Sequence, residues 1–100
     1  IPKMADEAVK MLTGAINAYV YNDEALAKSV IESDDIVDDL FLRVKTELTD
    51  MIVNDSSKAN SALDLLMIAK YMERIADHAT NIAEWVVFSI TGVHKDAQLI

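Results

Sequence analysis

Leu65-Leu66-Met67-Ile68-Ala69-Lys70-Tyr71-Met72-Glu73-Arg74-Ile75-Ala76-Asp77-His78-Ala79-Thr80-Asn81-Ile82-Ala83-Glu84-Trp85-Val86-Val87-Phe88 contains neither proline nor glycine. Its residues Leu66, Ala69, Glu73, Asp77, Thr80, Glu84 and Val87 recur at steps of four and three, the spacing of one line along an α-helix. The reading predicts a helix from about Lys58 to Thr91, closed by Gly92 where a left-handed C-terminal cap is expected. Such a helix is roughly 50 Å long at ~1.5 Å per residue. It is also apolar around too much of its circumference for one neighbour, since Leu65 to Ala69 are consecutive apolar residues and Trp85 to Phe88 repeat the pattern. A second apolar face is expected to need a protein partner, either another copy or another domain.

Asn54 to Ser57 reads as a turn, and before it Val30, Val37, Phe41, Val44, Leu48 and Ile52 mark the inner line of a helix over about 23–53. Asn22, Asp23 and Glu24 supply a cap and early acids for that helix. A first helix over about 2–21 carries Met4, Ala8, Leu12, Ala15 and Tyr19, with Pro2 in the first turn where its missing N–H costs nothing. Connections this short turn each helix back along its predecessor. The expected fold is therefore all-α, an antiparallel up-down-up three-helix bundle occupying residues 1–100 as one domain, with Val93 to Ile100 frayed.

Composition narrows the partners. With a net charge of −8, the chain repels phosphate backbones and anionic lipid, so nucleic acid is excluded as an expectation and cations or basic partners are favoured. The absence of cysteine rules out a disulfide scaffold or thiolate metal site. No basic region precedes an apolar stretch, so no secretory signal is read, and the initial isoleucine suits a processed product or an excised domain. No run approaches the ~20 apolar residues of a membrane span, and Glu73, Arg74, Asp77 and Glu84 interrupt the longest candidate. Cytoplasmic residence is the default expectation.

The acids carry the functional signal. At about 100° per residue, Asp34 lies within the stripe of Val30, Phe41, Leu48 and Ile52, with Asp38 at its margin, while Glu73 and Asp77 border the inner line of the third helix. Each pair is spaced i, i+4. Centring the turn between Asp55 and Ser56 sets Asp34 level with Asp77 and Asp38 level with Glu73, so the two pairs face each other. Four carboxylates at a low-dielectric seam repel and resist ionisation unless protons, basic side chains or a metal compensate them. Inward-projecting oxygens from facing helices are how bundles hold divalent ions, and an all-oxygen set suits magnesium, calcium, manganese or iron and admits zinc. The competing reading has Lys45 and Lys70, on neighbouring turns of the same faces, folding over to neutralise the acids, or the acids standing in solvent. His78 points away from the acidic line and His94 lies past the helix, so both are expected at the surface. Asp35 and Asp39 lie on the outer side of their helix, as an ordinary solvated acidic face would, while remaining within reach of a surface cluster.

These residues carry a family resemblance. Tyr71-Met72-Glu73-Arg74-Ile75-Ala76-Asp77-His78-Ala79-Thr80-Asn81-Ile82-Ala83-Glu84 resembles the signature helix of the PhoU family of bacterial phosphate-transport regulators, and Asp34-Asp35-Ile36-Val37-Asp38 resembles its paired acidic motif. The likeness extends to the Asn22-Asp23 start and so covers nearly the whole chain. It implies that Asp34, Asp38, Glu73 and Asp77 match two acid-x-x-x-Asp motifs associated with iron, zinc or magnesium ions on the bundle surface. Asp35, Asn81 and Glu84 are further candidate donors. It also implies a cytoplasmic protein, peripheral to the inner face of the membrane when bound to partners. That protein would couple a phosphate ABC transporter to a sensor histidine kinase and repress phosphate-starvation genes, without catalysis. Family members usually hold two such three-helix repeats. This chain has one, most similar to the second, and the missing repeat or a homo-oligomer would cover the second apolar face.

Two other classes give distinct expectations. A metal-free structural or adaptor bundle would be indifferent to chelators. A ferritin-like oxidase would need Glu-x-x-His pairs, and none is present, since Glu73 is followed three residues later by Ala76. Hydrolase and nucleotide-binding readings lack a glycine-rich loop or a placed nucleophile.

Overall fold

The computed structural model describes residues 1–92, and the expectations placed on Val93 to Ile100, including His94, lie outside the described residues. Three helices account for nearly all of the described chain: α1 (Pro2–Tyr21), α2 (Glu24–Asn54) and α3 (Ala59–Thr91), with a single 3-10 turn over Ser56–Lys58. They form an antiparallel all-α bundle in which each helix packs on both others, and the molecule is a narrow rod of 52 × 24 × 16 Å.

Local chemistry sets the two corners. Asn22 adopts the left-handed conformation, φ 50, and ends α1, with the chain bonding back from Asp23 N–H to the Ala18 carbonyl at 2.9 Å. Asp23 then caps α2 by accepting the Leu26 N–H at 3.0 Å, which satisfies one of the free donors of the first turn. At the second corner Asp55 ends α2 in extended conformation and accepts both the Ser57 N–H at 3.1 Å and the Ser57 hydroxyl at 2.6 Å. Those bonds favour the charged carboxylate and hold the Asp55 carboxyl below its ordinary range. Gly92, at φ 73, closes α3 by donating to the Phe88 carbonyl at 2.7 Å.

The core is built from small side chains. Ala8, Ala15 and Ala18 on α1, Ala27 on α2, and Ala69, Ala76, Ala79 and Ala83 on α3 are fully buried, and the largest fully buried side chains are Met4, Met11, Val37 and Val86. Alanines at the contact lines let the helix axes approach closely, which explains the thin cross-section. Gly14 marks one such approach: a Cβ there would come within 2.9 Å of Val30 Cγ2.

The inner line of α1 differs from the expectation. Met11 and Ala18 are buried, Leu12 is only half-buried, and Tyr19 is 62% exposed. Steps of four and three from Met4 run through Ala8, Met11, Ala15 and Ala18, staying closer to one angular position than a line drawn through Leu12 and Tyr19. Large apolar side chains consequently stand outside. Ile16, Tyr19 and Val20 on α1 and Leu63, Met67, Ile68 and Trp85 on α3 are exposed, and Ile16, Tyr19, Asn81, Ile82 and Trp85 line an open groove of about 450 Å³. The Trp85 and Phe88 rings stack at 5.5 Å, tilted by 40°. Among the described residues, no helix is long and apolar enough to cross a membrane.

Candidate functional site

The acidic motifs lie on the seam between α2 and α3. Val37, fully buried between Asp34 and Asp38, anchors that stretch of α2, and Ala76, equally buried next to Asp77, anchors α3. Helical geometry then brings the acids to the seam beside these anchors. Asp34, Asp38 and Glu73 are half-buried, while Asp77 is exposed and so stands further out than its place in the line suggested.

The electrostatics show which acids meet. The Asp34 carboxyl is held above its ordinary 3.8, first by burial, then by the charges of Asp38 and Asp77, with Asp35 contributing less. Asp38 is likewise raised, first by burial, then by Glu73 and Asp77, and less by Asp35 and Asp39. Asp34 thus feels Asp77 across the seam and Asp38 feels Glu73, the same partners that the turn register pairs. The Thr80 hydroxyl lies beside Asp34 and eases its ionisation, yet donates its proton to the Ala76 carbonyl at 3.0 Å. Asp34 Oδ1 is left buried with no hydrogen-bond partner.

Compensating charge reaches only part of this group. Lys70 Nζ approaches Glu73 Oε1 to 2.6 Å, whereas Lys45 makes no salt bridge among the described residues. Asp34, Asp38 and Asp77 have no basic partner there. His78, Asp35 and Asp39 are exposed, as expected of surface residues. Asn81 lines the apolar groove with Ile16 and Tyr19 of α1, which sets it on the α1 side of α3 and apart from the acids. Glu84 is half-buried further along α3 and is not among the charges acting on Asp34 or Asp38.

Four carboxylate groups, one carrying an orphaned buried oxygen, match a hard cation in charge and ligand type. They are not gathered into a ready cage: among the described residues no three His, Cys, Asp or Glu side chains stand close enough together to hold an ion. The residues fit a cation in kind and, as they stand, form no cage for one. The periodic signal found the four acids and Lys70. It missed Thr80 as the neighbour of Asp34, although its i, i+3 spacing from Asp77 was readable.

Comparison with known proteins fits this geometry. The model of the PhoU domain family matches residues 1–86, a span that contains both acidic motifs and all of α1 and α2. The chain belongs to the PhoU family. Relatives include the phosphate-specific transport system accessory protein PhoU homolog of Clostridium acetobutylicum, 36% identical over 93% of this chain and 42% of the relative. Those of Zymomonas mobilis and Caulobacter vibrioides are 38% and 35% identical, over 92% and 98% of this chain and 39% and 43% of their own lengths. The PhoU homolog 1 of Methanothermobacter thermautotrophicus is 33% identical over 88% of this chain and 40% of the relative. The chain therefore spans about two fifths of the length of these curated relatives, with coverages of 42%, 39% and 43%.

Proposed function

We propose that this PhoU-family chain is a cation-binding, non-catalytic regulatory unit of a phosphate-uptake system. In this reading it restrains the phosphate-starvation response by coupling a phosphate ABC transporter to a sensor histidine kinase. The observation that carries the metal part is the pair of facing carboxylate motifs, one of whose acids, Asp34, has a buried oxygen with no hydrogen-bond partner. The system-level part is supported by the relatives' names as phosphate-specific transport accessory proteins. Asp34 and Asp38 on α2 and Glu73 and Asp77 on α3 would hold an iron, zinc or magnesium ion, with Asp35 as an outer donor.

When bound, such an ion supplies positive charge to a surface that otherwise repels anions, so that a phosphate or a phosphorylated group is attracted rather than expelled. The residues do the rest. With an ion held between them, Asp34 and Asp38 from α2 and Glu73 and Asp77 from α3 would tie the two longest helices together over one turn and so fix their crossing. Held in that geometry, the outer face would present Asp35 and Asp39 to a basic partner. The exposed apolar surface around Ile16, Tyr19 and Trp85 suits a second repeat or a second copy of the chain, in a cytoplasmic protein that meets the membrane only through its partners.

A metal-free adaptor bundle is the second reading, and the Lys70–Glu73 ion pair favours it, because a lysine already neutralises one of the four acids. The two readings separate in the host cell. Deleting the gene and following a phosphate-starvation reporter in phosphate-rich medium should give derepression, restored by the parent gene. Failure of an Asp38→Asn, Asp77→Asn allele to restore repression at normal protein levels supports the metal reading, and full restoration supports the adaptor. No derepression on deletion contradicts the regulatory role altogether.

A further inference from the structure

We propose that the side of the bundle formed by α1 and α3 is a self-association surface, covered in solution by the same side of a second copy of this chain, with Trp85 at its core. This rests on the reading of the apolar surface given above, commits it to one occupant, and stands apart from the metal.

Two helical lines lay this surface down. On α1, Ala5, Val9, Leu12, Ile16 and Tyr19 recur at steps of four and three, about a quarter-turn from the buried line through Met4, Met11 and Ala18 at ~100° per residue. Gly14, which approaches Val30, marks the opposite flank as the one that meets α2. The charged residues of α1, Lys3, Asp6, Glu7 and Lys10, all fall outside the line. On α3, Ile68, Tyr71, Ile75, His78, Ile82 and Trp85 recur in the same way, and His78 is the one ionisable residue of the row unless Tyr71 is counted. The two lines run side by side, for Ile16 and Tyr19 line one groove together with Ile82 and Trp85. Val9, Ile16, Tyr19, Ile68, Tyr71 and Trp85 are between 43% and 62% exposed, a contiguous set of large apolar side chains that the bundle itself leaves uncovered.

Charge separates this side from the rest of the molecule. Neither line holds an acid, although the chain carries a net charge of −8, and the exposed acids Glu32, Asp35, Asp39 and Asp50 stand on α2. A basic partner therefore meets its complement on α2, and an anionic lipid surface is repelled by the molecule as a whole. Two copies joined through α1 and α3 keep their α2 helices on the far sides of the pair, where the like charges are screened over ~10 Å at 0.1 M salt.

Size and symmetry point to a copy. The α3 line from Ile68 to Trp85 is roughly 26 Å long at ~1.5 Å per residue. Across a rod 24 Å wide this makes about 600 Å², which reaches the ~600–1,000 Å² per partner of a stable interface. A lone peptide helix, ~10 Å across, covers less than half of that width, whereas a second rod of the same width covers it all. Charged pairs supply much of the register and discrimination in foreign complexes, and these two lines offer none for that purpose. An isologous pair does without them: its two-fold axis makes each contact twice, so the exposed Trp85 and the apolar groove beside it are presented by both copies at once. The groove, about 450 Å³ with Asn81 as its one polar lining residue, suits apolar side chains.

The test is sedimentation equilibrium of the tag-free 100-residue chain over a concentration series, with chelator present throughout so that no metal bridges the copies. A mass of twice 11.1 kDa is expected, falling to that of the single chain on dilution. Trp85 is the only tryptophan, so its emission should shift to shorter wavelength and resist acrylamide quenching as the dimer forms. Ile16→Glu should weaken association at least about tenfold, because it sets a charge in the centre of the buried patch. Trp85→Ala, which adds no charge, serves as a second variant with the same expectation. Ile36→Glu places the same acid at an exposed apolar position of α2 and should leave association within about twofold. His78→Leu, which removes the imidazole from the α3 line, should strengthen it. Circular dichroism confirms the fold of each variant. A single-chain mass at every concentration overturns the proposal, as does equal weakening by Ile36→Glu, or a dimer that neither Ile16→Glu nor Trp85→Ala weakens. Binding of a monomeric parent to phosphatidylglycerol vesicles, with the same tryptophan shift, gives the surface to lipid and overturns it too. Each of these failures leaves the metal reading standing, since no metal is present, and leaves the regulatory reading to the reporter assay.

Discussion

Replacing Asp34 with asparagine should make the metal-free protein more stable. The substitution keeps the shape of the side chain and removes its charge, which at neutral pH is disfavoured by burial and by Asp38 and Asp77. Two like-charge contacts on a half-exposed seam are worth a few tenths of a kcal/mol each after solvent screening. Relief of the unpartnered buried oxygen is worth about 1 kcal/mol for a charged acceptor, of which an amide oxygen in the same place gives back part. The net gain is about 1 kcal/mol, or roughly 4–8 °C in melting temperature for a domain of this size. The assay is thermal unfolding followed by circular dichroism in chelator at pH 7. Asp34→Asn should melt above the parent, and the advantage should shrink toward pH 4 as the parent's own carboxyl takes up its proton. With saturating metal the order should reverse, because the parent alone gains the full binding energy. A variant that melts below the parent in chelator would refute the reasoning, and would mean that the Asp34 charge is held by a favourable contact.

Other perturbations test the rest of the framework. The raised Asp34 and Asp38 carboxyls mean that the folded protein takes up protons before the unfolded chain does. Their contribution therefore rises as pH falls through the folded values and is complete near the ordinary 3.8, so metal-free melting temperature should increase on mild acidification in the parent and not in an Asp34→Asn, Asp38→Asn variant. Gly14→Ala adds about 1 kcal/mol of helix propensity but sets a methyl group 2.9 Å from a stiff, buried Val30. Overpacking of ~1–3 kcal/mol should win, giving a lower urea midpoint that a second substitution, Val30→Ala, partly restores. Asp23→Ala removes the side-chain cap of α2 and should cost about 1 kcal/mol by the same assay.

How much of this was legible in sequence depended on what each position answers to. The inner line of α2 reads directly, because Val30, Val37 and Val44 recur at regular helical steps and Phe41 and Leu48 on the same stripe pack against the core beside them. On α1 the rule misled. Leu12 and Met11 are nearly equal in size, so only their angular position on the helix separates them, whereas Tyr19 outranks Ala18 in size and hydrophobicity alone prefers the larger residue. Close helix packing prefers the smaller, and Ala18 took the inner position while Tyr19 turned to the surface. The register of the acids was readable because the connection between α2 and α3 is short enough to leave one way of folding back, even though its 3-10 turn was not foreseen. Asn81 follows Thr80, which lies beside Asp34, but one residue is a large rotation on a helix, and Asn81 lines the groove with Ile16 and Tyr19 of α1. Lys70 was readable as a neutraliser of acids in general. Its choice of Glu73, and the Phe41 ring that holds it, depend on the separation of two helices, which no spacing in the sequence reports.

The most direct test of the central claim is the metal content of tag-free protein by plasma mass spectrometry, for the parent and for Asp38→Asn, Asp77→Asn, with melting before and after chelation and after returning iron, zinc or magnesium. Near-stoichiometric metal in the parent, lost in the variant together with several degrees of metal-dependent melting temperature, is the predicted result. A metal-free parent whose melting ignores both chelator and added ions would contradict the account and leave a bundle whose acids are held by Lys70 and water.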